Sequence, residues 1–265
     1  MSDDHSVPVG IDTTVPHPAR VYDYVLGGKN NYAVDREYAD RLVAQIPDYP
    51  PLARANRLFL SRAVDFMARS GIRQFIDLGT GIPTPPNVHE IARGIDPAAR
   101  VVYVDNDPIV SVHNDALLAT DDRVVSIRAD LRDAGDILAL AELNELIDFD
   151  EPVGVLFVSV LQFFPGPEEP ARIVGLFRER MAAGSHLAIS QPSAEGDPEA
   201  IARARAAMAG GPLTIDFRRH EEILPFFDGF DLVEPGLVDV TRWRPRMDAP
   251  STRMIVLGGV GRMSA

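Results

Sequence analysis

The chain has 265 residues, 46% of them hydrophobic and 25% charged, with a formal net charge of −13 and no cysteine. That composition excludes a disordered chain, a disulfide framework and a thiolate metal site. The acidic balance argues against broad binding to phosphate backbones, so nucleic acid is not an expected partner.

The longest apolar run, Val153 to Phe164, is broken by Gly154, Ser159 and Gln162. It is too short to cross a bilayer. Met1 to His5 lacks the basic and apolar regions of a signal peptide, and a cytoplasmic protein is expected. Residues 1–18 are polar and punctuated by prolines and are expected to form a mobile tail. Residues 19–55 hold five of the six tyrosines and the Gly27-Gly28 break, which reads as a packed but irregular cap. From Asn56 to Ser70, Leu58, Phe59, Ala63, Val64, Phe66 and Met67 fall at helical spacing, and Gly71 supplies a stop. The expected division is therefore a tail (1–18), a cap segment with its helix (19–70) and a main domain (71–265).

From Arg73 onward short β-branched runs alternate with helical stretches. Strands are predicted at Phe75–Leu78, Val101–Asp105, Val124–Arg128, Val153–Ser159 and Ser185–Ser190. Helices are predicted at Asn87–Gly94, Pro108–Leu118, Ala134–Ile147 and Pro170–Met181. This alternation implies βαβ crossovers and a mostly parallel α/β sheet covered by helices on both faces. A further helix at Ala200–Ala209 precedes strands at Phe230–Val233 and Met254–Leu257, which are expected to close a seven-stranded sheet with an antiparallel edge. The arginine pairs Arg203/Arg205 and Arg218/Arg219 are read as solvated faces.

In an open parallel sheet, ligands bind beyond the carboxyl ends of the strands. The first strand runs into Asp77-Leu78-Gly79-Thr80-Gly81-Ile82-Pro83, where two glycines let the backbone turn sharply and approach a ligand. The second strand ends in Val104-Asp105-Asn106-Asp107, and Asp105 can accept hydrogen bonds from both hydroxyls of a ribose. The third is followed by Ala129-Asp130-Leu131, where Asp130 can meet an adenine amino group. Together they describe a nucleoside site. A dinucleotide fingerprint requires a third glycine where Thr84 stands, within Pro83-Thr84-Pro85-Pro86. Asp77 would repel a pyrophosphate and attract a cationic amine such as that of a methionine moiety.

These residues resemble the class I S-adenosylmethionine-dependent methyltransferases. The closer resemblance is to the bacterial S-adenosyl methyltransferase branch, formerly catalogued as a domain of unknown function. It is carried by Ala19 to Tyr32, Phe75 to Glu90 with its Gly-Ile-Pro-Thr-Pro-Pro-Asn-Val-His run, Val102 to Pro108, Ala129 to Asp133 and the Gly229-Phe230 region. The resemblance implies a Rossmann-like seven-stranded sheet with an N-terminal helical cap, and S-adenosylmethionine as cofactor. It further implies that Gly79, Thr80 and Gly81 lie along the methionine and ribose, Asp105 on the ribose and Asn106 against the adenine. Asp130 with Leu131 would read the adenine edge, and Ser159 would face the methyl group or substrate. Pro83 departs from relatives that carry a third glycine there.

The cap contributes Tyr22, Gly28 and Asn31 to the expected cofactor site. A sulfonium is attracted to aromatic faces, so Tyr22, Tyr24 or Tyr32 can line the methyl donor, or simply pack the cap onto the sheet. Arg20, Asn30 or Asn31 can bind the methionine carboxylate. No catalytic base is assigned: His89 and His113 are expected to pack or cap, and His89-Glu90-Ile91-Ala92-Arg93 lacks the second histidine of a zinc site. Gln162, Phe163 and Phe164 can touch a substrate or pack their loop. With aromatic residues at 7% and a single tryptophan, Trp243, few stacking platforms exist for bases, and a small-molecule acceptor is expected. The alternatives are a cofactor-binding sensor without transferase activity and an NAD-dependent oxidoreductase. No oligomeric state follows from the sequence.

Overall fold

The computed structural model describes residues 12–112, 122–211, 213–246 and 252–264. Its strands are β1 (Gln74–Leu78), β2 (Arg100–Asp105), β3 (Val124–Arg128), β4 (Gly154–Val158), β5 (His186–Gly196), β6 (Phe230–Leu232), β7 (Val238–Asp239) and β8 (Met254–Met263). They form one sheet in the order β3-β2-β1-β4-β5-β8-β6, with the two-residue β7 paired to β8 beside that path. The strands β1 to β5 run parallel, and β8 lies antiparallel to β5, β6 and β7. This is the expected mostly parallel α/β sheet, with one short strand more than the seven predicted.

Successive strand side chains point to opposite faces, and each face is apolar. Phe75, Val101, Tyr103, Leu156 and Ala188 pack on one side against Phe59, Ala63, Val64 and Met67 of α3 (Tyr49–Arg69). Ile76, Leu78, Val102, Val104, Val155 and Phe157 pack on the other against Ile137, Leu143, Ile173 and Phe177. Those four belong to α6 (Ala134–Ala139), α7 (Ala141–Leu146) and α8 (Glu168–Arg178). Both faces of the sheet are therefore covered, which leaves the strand ends as the open place for a ligand.

Several boundaries differ from the sequence reading for identifiable reasons. Residues 19–55 are regular where irregular packing was expected: α1 (Pro18–Val25) and α2 (Ala33–Gln45) precede α3, which begins at Tyr49. Pro50 and Pro51 sit in the first turn of α3, where no intrahelical N–H is needed. The single helix predicted over Ala134–Ile147 is two, broken at Leu140 in extended geometry. The Asn144 side chain donates to Leu138 O (2.9 Å) and Leu140 O (2.7 Å), offering those carbonyls an alternative to the helix ladder.

β5 continues past Ser190 because β8 pairs with it as far as Gly196. Pro192 is tolerated there because the β4 pairing ends at Ser190 and the next bond on that flank runs from Ala194 N to Arg218 O, so no partner calls for an N–H at 192. β8 is longer than predicted because its glycines make room: a Cβ at Gly258 would lie 2.7 Å from Val240 Cγ1 and 3.0 Å from Phe59 Cζ. Of the helix predicted at Pro108–Leu118, 108–112 is helical (α5) and the remainder lies outside the described residues. No helix among the described residues is long and apolar enough to cross a membrane.

Candidate active site

A cavity of about 560 Å³ opens at the carboxyl ends of β1 to β4. Strand order reverses between β1 and β4, the place where an open α/β sheet leaves a crevice. Asp77, Gly79, Thr80, Gly81, Asp105, Asn106, Asp130, Leu131, Ser159 and Tyr22 all line it. Ten of the twelve residues expected to hold a cofactor are thus brought together from four strand ends and the cap.

Gly79 and Gly81 have φ of 70° and 65°, a left-handed conformation that a residue with a Cβ adopts only under strain. At Gly79 a Cβ would also run into Val160 Cγ2, so the loops after β1 and β4 close on each other through this glycine. The loop is braced by Asp105, whose Oδ2 accepts from Gly81 N at 2.8 Å and whose Oδ1 accepts from Asp107 N at 2.9 Å. Burial pushes the Asp105 carboxyl up, and the two backbone N–H donors oppose that rise. Each oxygen keeps a second lone pair.

Asp77 is 5% exposed at the foot of the same loop. Burial raises its carboxyl to about 6, against the pull of the Arg57 guanidinium and a hydrogen bond from Thr80, with Asp105 adding like charge. A buried carboxylate held this far above its ordinary range favours a cationic partner. Asp130 caps the turn at Leu131–Asp133, accepting from Arg132 N at 2.9 Å and pairing with Arg132 Nη1 at 3.0 Å.

Ser159 follows directly on β4 at φ 60°, a strained state for a non-glycine residue of the kind that clusters at working sites. It is held there by Ser190 O, which accepts from Ser159 N at 2.8 Å, and by Gln162 Nε2, which donates to Ser159 O and Oγ at 2.8 and 2.9 Å. The Tyr22 ring lines the cavity while its hydroxyl turns inward, donating to Ala53 O (3.0 Å) and accepting from Asn56 Nδ2 (3.2 Å). Burial pushes that phenol up.

Gly28 and Asn31 do not line the cavity; they build the turn around Asp23. Asn31 Nδ2 donates to Asp23 Oδ2 (2.8 Å) and Gly28 O (3.1 Å), and a Cβ at Gly28 would collide with the Asp23 carboxylate. Asn30 N is spent on Asp23 as well. Arg20, the other candidate for a carboxylate, is buried against Asp35 (3.3 Å) and donates to Asp12 O and Val15 O. Tyr24 bonds Asp40, and Tyr32 packs under Arg20.

Two guanidinium groups do line the cavity, Arg132, paired with Asp130, and Arg57, which donates to Thr84 O (2.5 Å) and Pro86 O (3.2 Å). The sequence reading missed Arg57, together with its neighbour Asn56. The available signal was Asn56 itself, a polar residue in the apolar stripe that runs through Leu52, Ala53, Phe59, Leu60 and Ala63. Val15, Pro16, His17 and Pro18, assigned above to the tail, also line the cavity, and His17 Nδ1 lies 2.8 Å from Asp107 Oδ2.

His89 lies outside the cavity lining and packs on Tyr103, whose hydroxyl lies 2.8 Å from His89 Nδ1 and accepts from His89 N at 3.0 Å. His113 falls outside the described residues. Gln162, Phe163 and Phe164 line the cavity, and Trp243 is buried against Phe59 and Phe66.

Arg218 is not on a solvated face. It is 4% exposed and donates to Leu161 O (3.1 Å), Gln191 Oε1 (3.0 Å), Phe164 O (2.5 Å) and Gly166 O (2.6 Å), which fastens the loop after β4.

The helix after the glycine loop bears on the choice of ligand. It begins only at Val88, and the N–H of the residue before it, Asn87, is taken by Glu90 Oε2 at 2.6 Å. In its first turn His89 N is taken by the Tyr103 hydroxyl at 3.0 Å, so this helix start is not open toward the loop in the way that the pyrophosphate cradle of a dinucleotide fold requires.

The sequence model of the S-adenosyl methyltransferase family matches residues 4–264. The chain belongs to that family, and its cofactor is S-adenosylmethionine. A crystal structure of a Thermobifida fusca YX protein, 38% identical, superposes with a TM-score of 0.92 over 98% of this chain and 100% of that one. A DUF574 family protein from Streptomyces avermitilis MA-4680 is 40% identical, with a TM-score of 0.91 over 95% and 99% of the two chains. The N-methyltransferase NodS from Bradyrhizobium japonicum WM9 shares the fold at 11% identity, with a TM-score of 0.51 over 80% and 98%. No curated protein matches the sequence.

Proposed function

We propose that this S-adenosyl methyltransferase transfers the methyl group of its cofactor to a small-molecule acceptor held over β4 and β5. The observation that supports this reading is the pairing of Asp77 and Asp105 across the Gly79–Gly81 turn, in a cavity at the switch point of the sheet. The buried Asp77 carboxylate suits the methionine amine, and Arg57 beside it suits the carboxylate. The spare lone pairs of Asp105 suit the ribose hydroxyls. Asn106, Asp130 and Leu131 line the wall where the adenine would lie.

The Tyr22 ring and the Ser159 backbone form the wall between these residues and β5, where an aromatic face would attract the sulfonium. In this reading residues 19–70 cap the nucleotide-binding domain of residues 71–265. Bound there, the sulfonium supplies an electrophilic methyl group. The residues of this chain align the nucleophile and exclude water. The Tyr22 hydroxyl is already committed to Ala53 and Asn56, and the His17 ring to Asp107. The acceptor accordingly brings a nucleophile that needs no strong base.

The test is to incubate the protein with methyl-labelled S-adenosylmethionine and a metabolite extract. Label is expected in a low-molecular-weight fraction. Tight cofactor binding with no label transferred across extracts would refute the transferase reading in favour of a sensor.

A further inference from the structure

The cavity is divided by charge. Arg57, Asp77, Asp105, Asp130, Arg132 and the His17 ring all stand around the ends of β1 to β3 and the start of α3. Past Ser159 the lining changes: Pro192, Met208, Leu213 and Ile215 face Tyr49, and no charged side chain is present among the described residues. Against this end lies a pit of about 60 Å³ whose lining includes Tyr22, Tyr49, Asn56, Ser159, Met208 and Ile215 of the cavity. The pit is closed by Ile46, Leu52, Phe217, Met254 and Val256.

The polar groups at this end are mostly spent inside the protein. Asn56 Nδ2 donates to Tyr22, and Asn56 Oδ1 accepts from Ser190 Oγ at 2.6 Å. Both Ser159 oxygens accept from Gln162, and Thr214 Oγ1 donates to Gly211 O. The Tyr49 hydroxyl has no hydrogen-bond partner among the described residues. Burial holds it far on the protonated side, so it stays a neutral donor. Gln162, on the same wall, has Oε1 buried without a partner.

We infer that the methyl acceptor is an uncharged molecule with an apolar group that enters the pit and one neutral hydroxyl or carbonyl group that meets Tyr49. This rests on the transferase reading above. A charged acceptor would be desolvated at this end without an opposite charge beside it, which weakens its binding at least tenfold. An apolar group gains from each methylene that it buries. The pit's small volume limits that group to a few heavy atoms.

The experiment uses the protein saturated with S-adenosylhomocysteine and measures, by calorimetry, binding of phenol, 4-methylphenol, 4-ethylphenol and 4-propylphenol. The anion 4-hydroxybenzoate and the cation tyramine are measured alongside. Affinity is expected to rise about fourfold per methylene until the pit is full, with both ions bound at least tenfold more weakly than 4-ethylphenol.

Ile215→Trp fills the pit and is expected to abolish the rise while leaving S-adenosylhomocysteine affinity within about twofold. Tyr49→Phe is expected to weaken every phenol by roughly two- to tenfold. Absence of binding by any neutral phenol, a flat alkyl series in the unmodified protein, or ions bound as tightly as the neutral compounds would overturn the inference. A protein that fails to bind S-adenosylhomocysteine at all would overturn the transferase reading instead, which separates the two failures.

Discussion

Replacing Asp77 by Asn changes stability and affinity in opposite directions. An aspartate in the unfolded chain titrates near 3.8, whereas the buried Asp77 is pushed up to about 6. Between those values the folded protein retains a proton that the unfolded chain has lost. Folding therefore becomes less favourable as pH rises through that window, and the whole penalty is present above pH 6. The rise corresponds to about 3 kcal/mol of destabilisation at pH 8. An isosteric amide removes the desolvated charge at the cost of part of the Thr80 hydrogen bond.

Asp77→Asn is therefore expected to raise the Tm of the cofactor-free protein at pH 8 by roughly 5–10 °C, at about 2–4 °C per kcal/mol for a chain of this size. It should have almost no effect at pH 4, where both side chains are neutral. The same variant should bind S-adenosylhomocysteine roughly 10- to 100-fold more weakly at pH 8, through the loss of a charge-assisted contact. The assays are thermal denaturation at the two pH values and calorimetric titration. A lowered Tm at pH 8, an equal shift at both pH values, or unchanged affinity would refute this account of Asp77.

Asp105→Asn places an amide donor against Gly81 N or Asp107 N, the two groups now bonded to the carboxylate. It should weaken S-adenosylhomocysteine binding by about 1–3 kcal/mol in calorimetry. Gly79→Ala meets both a φ of 70° and the Val160 side chain; its Tm should fall, and adding Val160→Ala should recover the share due to the collision while the backbone strain persists. Arg218→Met leaves Leu161 O, Phe164 O and Gly166 O without their buried donor. It should cost about 3–5 kcal/mol in urea denaturation, and a loss below about 1 kcal/mol would show that the loop after β4 does not depend on it.

The central sheet was legible because its residues obey a single rule. β4 is apolar throughout and β1 is apolar but for Gln74 and Asp77; they stop at serine and glycine, and each ends where a ligand-facing residue was expected. The site residues at those strand ends were legible for the same reason, since strand order alone brings Asp77, Asp105, Asp130 and Ser159 to one edge.

What escaped depends on contacts distant in sequence. Arg218 reads as surface beside Arg219, and only the folded loop at 161–166 supplies the carbonyls that bury it. Gly28 and Asn31 carry the family's N-terminal pattern, yet they serve Asp23 rather than the cavity. The glycines of β8 look like breaks in a strand until Phe59, Val240 and Phe230 are seen occupying the space that they leave. Within the tyrosine-rich segment nothing local marked Tyr49 as the member that faces the uncharged end of the cavity.

The most direct measurement is a calorimetric titration of the purified protein with S-adenosylhomocysteine and, separately, with NAD. The Asp77–Gly81 loop, braced by Asp105 and lacking an open helix N-terminus, predicts saturable binding of S-adenosylhomocysteine at one site per chain and no measurable binding of NAD. Saturable NAD binding, or no heat with S-adenosylhomocysteine, would contradict it.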